Sequence, residues 1–127
     1  KVYWTLHDCW AFTGHCAYFS YVGCEKWNSG CGGCPQLKEY PSSLGVDNSD
    51  KNFQRKKKAF LGVKDMTLIT PSKWLASLVK ESFLGQYPIK VSYNTIDHNI
   101  FKPTPGNFRE KYGIKNKKVV LGVASVL

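Results

Sequence analysis

Met66-Thr67-Leu68-Ile69-Thr70-Pro71-Ser72-Lys73-Trp74-Leu75 opens the stretch that decides the fold, and Ile89-Lys90-Val91-Ser92-Tyr93 closes it. Met66–Thr70 and Ile89–Tyr93 are short runs rich in β-branched and aromatic residues, the composition of strands. Between them Trp74, Leu75, Leu78, Val79 and Phe83 recur at helical spacing over Lys73–Leu84. Ser72 is placed to cap that helix, Pro71 precedes it, and Gly85 follows as a stop. Strand, helix and strand in this order make a βαβ unit, whose crossover gives a parallel sheet. The expected class is therefore α/β.

Working outward, Val2–Leu6 reads as an earlier strand and Lys118–Ala124 as a fourth. A second helix is expected over Asp50–Leu61, with Lys51, Arg55 and Lys58 on its wet side and Phe53, Ala59 and Phe60 inward. The segment Asp97–Gly106 holds Pro103 and Pro105 without periodicity and reads as a linker, followed by a short helix around Phe108–Tyr112 that Gly113 ends. Residues 13–48 differ from all of this: they hold many Gly and Pro, four Cys and no apolar period. A structureless loop of that length is unusual in a compact domain, so something is expected to clamp it.

Hydrophobic residues make up 43% of the chain and aromatics 14%, enough for a core, which excludes general disorder. No apolar run approaches the roughly 18 residues of a membrane span, and no charged-then-apolar leader opens the chain. Both ends cut into apolar, strand-like runs, so the chain reads as an internal piece of something larger. Its net charge of +9 is uneven, with −2 over residues 1–50 and +11 over residues 51–127. Such a basic half points to an anionic partner: a phosphate-bearing ligand, an acidic membrane surface or nucleic acid. A solvated helix face is the plainer reading of any one Lys run.

Open parallel sheets bind ligands beyond the carboxyl ends of their strands. The polar residues just past those ends are His7 and Asp8, then Ser72, then Asn94, Thr95 and Asp97. Each has a plainer role: Ser72 as a helix cap, Asp8 as a cap for the turn at Cys9–Phe12, Asn94 and Asp97 as turn residues. Their convergence on one sheet edge is what favours function. His7 leads, because imidazole can donate to a sugar hydroxyl or a phosphate near neutral pH.

These residues also resemble a known family. Thr5-Leu6-His7-Asp8-Cys9-Trp10-Ala11-Phe12-Thr13-Gly14 looks like the His-bearing segment of family 4 GT-B glycosyltransferases. Within that family it resembles the bacterial exopolysaccharide and colanic-acid-type subgroup, whose cysteine-rich insert ends in Cys-Pro-Gln, as Cys34-Pro35-Gln36 does. Thr70-Pro71-Ser72-Lys73-Trp74-Leu75 resembles the family's strand-to-helix segment. Tyr93-Asn94-Thr95-Ile96-Asp97 with Phe101-Lys102-Pro103 resembles its hinge, and Leu121-Gly122-Val123-Ala124 the first strand of its nucleotide-sugar domain. The likeness spans nearly the whole chain in the family's order.

The resemblance implies a Rossmann-like sheet forming the second half of the acceptor-side domain over residues 1–97, with 13–48 as a cysteine- and glycine-rich insert. Residues 98–117 would be the interdomain linker and 118–127 the start of the nucleotide-sugar domain. It further implies a retaining transfer of sugar from a nucleotide-sugar donor to a saccharide or lipid-linked acceptor. That chemistry requires no cofactor, takes place in the cytoplasm or at the inner face of the plasma membrane, and involves no nucleic acid. His7 would serve as the catalytic cleft histidine and Asp8, Ser72 and Asn94 as substrate-binding residues. Thr95 departs from the family, which has Gly there; a β-branched residue tolerates positive φ badly. The family's paired glutamates and donor-phosphate cations lie in its second domain, and this chain carries neither.

The cysteines read separately. Cys31 and Cys34 have the spacing of a zinc knuckle, and Cys16 and Cys24 could complete four thiolates around a structural zinc ion. A Cys31–Cys34 redox pair, disulfides and plain buried thiols stay open, while Cys9 reads as a small core residue. Two other function classes compete. One is a non-catalytic zinc module contacting nucleic acid through Lys51–Lys58. The other is a thiol oxidoreductase, disfavoured because Pro35 and its neighbouring glycines suit a loop better than a helix start.

Overall fold

The computed structural model describes residues 1–123. Two compact units divide the chain, Lys1–Asn94 and the residues from Thr95 onward. The first contains β1 (Val2–Thr5), α1 (Ser49–Leu61), β2 (Met66–Thr70), α2 (Lys73–Glu81) and β3 (Ile89–Val91). Its strands form one parallel sheet in the order β1-β2-β3. Val2 pairs with Met66 and Thr5 with Ile69, while Leu68 pairs with Ile89 and Thr70 with Val91. The architecture is α/β with a Rossmann-like parallel sheet.

The middle strand explains its own sequence. β2 is buried at all its positions but Ile69, which is why it carries no charge and only Thr67 and Thr70 among its apolar residues instead of alternating with a wet face. On α2, Leu75 and Val79 turn inward and Ser72 Oγ accepts the Leu75 N–H at 3.1 Å, the expected cap. The helix ends at Glu81, earlier than its pattern suggests, because Ser82 takes over: its N–H reaches the Leu78 and Val79 carbonyls and its hydroxyl accepts the Leu84 N–H. A 3-10 turn over Phe83–Gln86 follows. Gly85 therefore marks a close approach within that turn, where a Cβ would collide with the Lys80 carbonyl. Trp74 does not join the inner stripe and is 50% exposed, since it lies about 100° round the helix from Leu75.

On α1 the inward line runs Phe53, Lys56, Phe60. Phe53 meets Phe83 at right angles with ring centroids 5.3 Å apart, and Phe60 meets Trp4 edge-on at 4.7 Å. Ala59, expected inward, is exposed; the stripe at spacings of three and four passes it by. Tyr87 Oη lies 2.6 Å from the Phe60 carbonyl and 2.9 Å from that of Val63, pinning the end of α1 beside the sheet.

The long loop is built from short 3-10 turns at Trp10–Phe12, Ser20–Val22 and Lys26–Asn28. Three rings clamp it. Trp27 stacks on Phe19 at 4.8 Å and meets Phe12 edge-on at 5.5 Å. All three are buried in the cluster that also contains Leu68 and Leu75, so loop and sheet share one core. Gly14 presses against the first residue of α1, where a Cβ would collide with the Ser49 carbonyl. Gln36 of Cys34-Pro35-Gln36 is buried and donates to the Tyr18 carbonyl at 2.9 Å.

In the second unit the described residues include one short helix, α3 (Phe108–Lys111). Gly113 follows it at φ 64°, a stop that glycine permits. Arg109 donates to the Lys117 carbonyl at 2.7 Å and folds the next turn back. The strand expected over Lys118–Ala124 does not form in residues 118–123, and Ala124 lies outside the described residues. A strand needs a neighbour to take its N–H and C=O groups, and this segment has no strand partner among the described residues. Thr95 is not strained: among the described residues only glycines have positive φ, so the turn there takes a course open to any side chain.

Candidate functional site

The parallel register brings the carboxyl ends of all three strands to one edge of the first unit. There the chain leaves β1 into His7 and Asp8, β2 into Pro71 and Ser72, and β3 into Tyr93 and Asn94. Backbone pairing continues one step past each end, through Leu6 N to the Ile69 carbonyl and Ser92 N to the Thr70 carbonyl, so the edge is stiff up to these residues.

The four candidates differ in what already occupies them. His7 is exposed, and only its backbone is engaged, its carbonyl lying 3.4 Å from the Tyr18 hydroxyl. Asp8 Oδ1 accepts the Trp10 N–H at 2.8 Å, capping the turn that follows. The Ser72 hydroxyl caps α2. Asn94 is exposed. The edge thus offers two unengaged polar side chains beside two that also hold the backbone.

Beyond the turn that Asp8 caps lies a cleft of about 380 Å³ whose walls include Trp10, His15, Ser43, Asn52, Arg55 and Lys56. Lys56 Nζ donates to the Trp10 carbonyl at 2.7 Å and the Thr13 carbonyl at 3.0 Å. The same ammonium lies 3.3 Å from the centre of the Trp10 ring, a close cation–π contact. Burial pushes Lys56 down to about 8, partly offset by the Asp8 carboxylate. Composition conceals this residue inside a Lys-rich run. Its position on the inward line of α1, three after Phe53 and four before Phe60, is the signal that could have found it. A cavity of about 300 Å³ on another side of the loop is walled by Asp8, Tyr18, Tyr21, Gln36, Glu39 and Tyr40. A groove of about 560 Å³ beside Lys1, Asp65 and Pro88 sits at the amino ends of the strands, the wrong end for a sheet of this kind.

Cys16, Cys24, Cys31 and Cys34 come together around one small cavity within the loop, whereas Cys9 sits fully buried in the core. All five are free thiols. Burial, with the nearby Asp8 charge, pushes Cys9 up to about 12. Burial, then the neighbouring Cys34, pushes Cys16 up to about 11, and burial raises Cys31 as well. Thiols raised in this way are the opposite of an activated redox nucleophile, which weighs against the oxidoreductase reading. Asp47 ties this region to α1. Its Oδ2 accepts the Cys34 N–H and its Oδ1 the Ser49 N–H, each at 2.8 Å. The adjacent Ser49 hydroxyl and then these N–H groups hold the Asp47 carboxyl down at about 2. Ser49 Oγ itself completes no hydrogen bond of proper geometry; its proximity alone favours the charge.

No helix among the described residues is long and apolar enough to cross a membrane. No protein-family profile matches the chain, and no solved structure matches it. Over 96 residues, 74% of its length, the chain is 34% identical to a protein of Escherichia coli (strain K12) that carries the provisional name colanic acid biosynthesis glycosyl transferase WcaC. The chain spans about a quarter of that relative, 23%. The chain is thus similar to one part of a longer protein named as a glycosyl transferase.

Proposed function

We propose that this chain is a piece of the acceptor-side domain, with the hinge, of a retaining GT-B glycosyltransferase of family 4. The parent would transfer sugar from a nucleotide-sugar donor to a saccharide or lipid-linked acceptor in cell-surface polysaccharide synthesis. The observation that carries this reading is the single carboxyl edge where His7, Asp8, Ser72 and Asn94 gather, within a chain that is 34% identical to part of a glycosyl transferase. The exposure of β1 adds support. Val2 is 44% and Tyr3 57% exposed, though they point to opposite faces. Parallel sheets are normally covered on both faces, so further parts of the parent would lie against this strand.

In this reading His7 donates to the donor sugar or its phosphate from the carboxyl edge of the sheet. Asn94 adds a second polar contact at the third strand end. The cleft walled by Trp10 and Arg55 receives the acceptor: an indole suits the apolar side of a sugar ring, Arg55 suits a phosphate, and Lys56, already held by two carbonyls, fixes the Trp10 ring. No cofactor is required for transfer. The exposed Lys51, Arg55 and Lys58 of α1 would rest at an anionic cytoplasmic membrane surface, where lipid-linked acceptors are found. Liposome flotation with and without anionic lipid checks that point, and equal recovery would leave these residues as a solvated face.

The reading as a whole is tested by supplying nucleotide sugars to the purified chain of residues 1–127 and to the longer protein that contains it. Transfer by the longer protein alone is expected, because stabilisation of the leaving phosphate would come from outside this chain. Turnover by residues 1–127, or hydrolysis without a saccharide or lipid acceptor as the sole activity of the longer protein, would overturn it.

A further inference from the structure

The cysteine cavity belongs to neither the sheet edge nor the acceptor cleft. Its volume is about 10 Å³, roughly the space of a single water or ion. Its lining brings together thiols from four places in the loop: Cys16 after the Gly14 contact, Cys24 before the turn carrying Trp27, and Cys31 and Cys34 at either end of a glycine pair. Phe19 and Trp27 stand in the same wall as Thr13, Lys26 and Ser49, and four thiolates from the protein would leave no open position on an ion, as in structural metal sites. His15 also lines the cavity, and its buried Nε2 has no hydrogen-bond partner.

Two further features suit an anionic sulfur cluster better than a knot of neutral thiols. The Gly14 N–H points at Cys31 Sγ at 3.2 Å, the kind of backbone donor that supports a metal-bound thiolate. Lys26 stands in the cavity wall, its ammonium fixed by the Gly32 carbonyl at 2.7 Å and the Gly33 carbonyl at 2.9 Å. A divalent ion with four thiolates carries a charge of −2, which an adjacent cation offsets.

We propose that Cys16, Cys24, Cys31 and Cys34 hold one zinc ion in a closed tetrahedral site that fixes residues 13–48. On binding, each thiol releases its proton to solvent and forms one sulfur–zinc bond, with no change of oxidation state. As placed, no three His, Cys, Asp or Glu side chains among the described residues converge closely enough to hold an ion. Binding therefore requires the Cys16, Cys24 and Cys34 thiols to rotate about their Cα–Cβ bonds toward Cys31, whose sulfur the Gly14 N–H already holds. The ring cluster of Phe12, Phe19 and Trp27 would hold the surrounding backbone during that rotation.

Elemental analysis of the reduced, freshly purified chain tests this, with close to one equivalent of zinc expected. Cobalt(II) substituted for zinc should give the intense thiolate-to-metal absorption and the d–d bands of a tetrahedral sulfur site. Changing any one of Cys16, Cys24, Cys31 or Cys34 to Ser should reduce bound zinc about tenfold or more at limiting metal, whereas Cys9→Ser and His15→Ala should retain it. The cobalt spectrum of the unaltered chain keeps the test meaningful if a Ser variant misfolds. Absence of metal while residues 13–48 resist protease, a cobalt spectrum with nitrogen ligation, or zinc loss in His15→Ala would overturn the four-thiolate site.

Discussion

The sheet with its helices and the loop over residues 9–48 share one apolar core, yet they are held by different means. β1, β2 and β3 take their order from a backbone ladder, and α2 adds a stripe through Leu75 and Val79 with a Ser72 cap. These supports repeat from one residue to the next along each element. The loop has no ladder. It depends on single contacts between distant residues: Phe12 against Trp27, Gly14 against Ser49, Asp47 against Cys34. Losing one ladder bond leaves its neighbours in place, whereas losing one loop contact removes a whole point of attachment. The loop should therefore open by itself while the sheet stays closed.

Trp27→Ala is the strongest way to break that contrast. Removing a buried indole typically costs about 3–5 kcal/mol. The loss should appear as rapid proteolysis and amide exchange within residues 9–48, with β2 amides still protected. Leu68→Ala, at a position fully buried in the central strand, should cost about 2–5 kcal/mol and expose both regions together. Equal protection of loop and sheet in Trp27→Ala would show that the two open as one unit.

Gly14→Ala should come next, at roughly 1–3 kcal/mol of overpacking, because the new Cβ drives into the Ser49 carbonyl and Cys31 Cβ lies 2.8 Å away. Thermal melts followed by a loop probe and by a sheet probe would show the loop midpoint falling further. Coincident falls would refute the separate attachment.

The contrast also accounts for what could be read in the residues alone. The βαβ unit was legible because periodicity and caps announce it: the Met66–Thr70 run, the Leu75–Val79 spacing, Ser72. The clamp was not, because Phe12, Phe19 and Trp27 follow no period and meet only through the fold. Lys56 was hidden for a similar reason, since one half-buried lysine looks like its exposed neighbours until the inward line of α1 is drawn. The sheet edge was legible as a set of positions, while the cleft beyond the turn that Asp8 caps depends on Trp10 and α1, which the sequence separates by about forty residues. The expected strand near the end failed on the same ground as the clamp: a strand exists through its partners.

The smallest effect concerns Asp47. Its folded pKa, about 2, lies below the ordinary 3.8. Its contribution to loop stability is therefore present above about pH 4 and is lost as pH falls toward 2. A loop probe in wild type should show this acid-dependent loosening, and Asp47→Asn should remove its share of the slope. An unchanged slope in the variant would assign the dependence to other carboxyls.

On the proposed function, sugar transfer takes place at the carboxyl edge of this sheet, with His7 acting on the donor. His7→Ala in the longer protein tests it most directly, with kcat and melting temperature measured side by side. A preorganised contact that strengthens as the sugar–phosphate bond breaks is worth about 2.7–4 kcal/mol, or roughly 10²–10³ in rate. His7 is exposed and its side chain supports no packing, so the melting temperature should hold while kcat falls at least about a hundredfold. A folded His7→Ala protein with near-normal turnover would contradict the account.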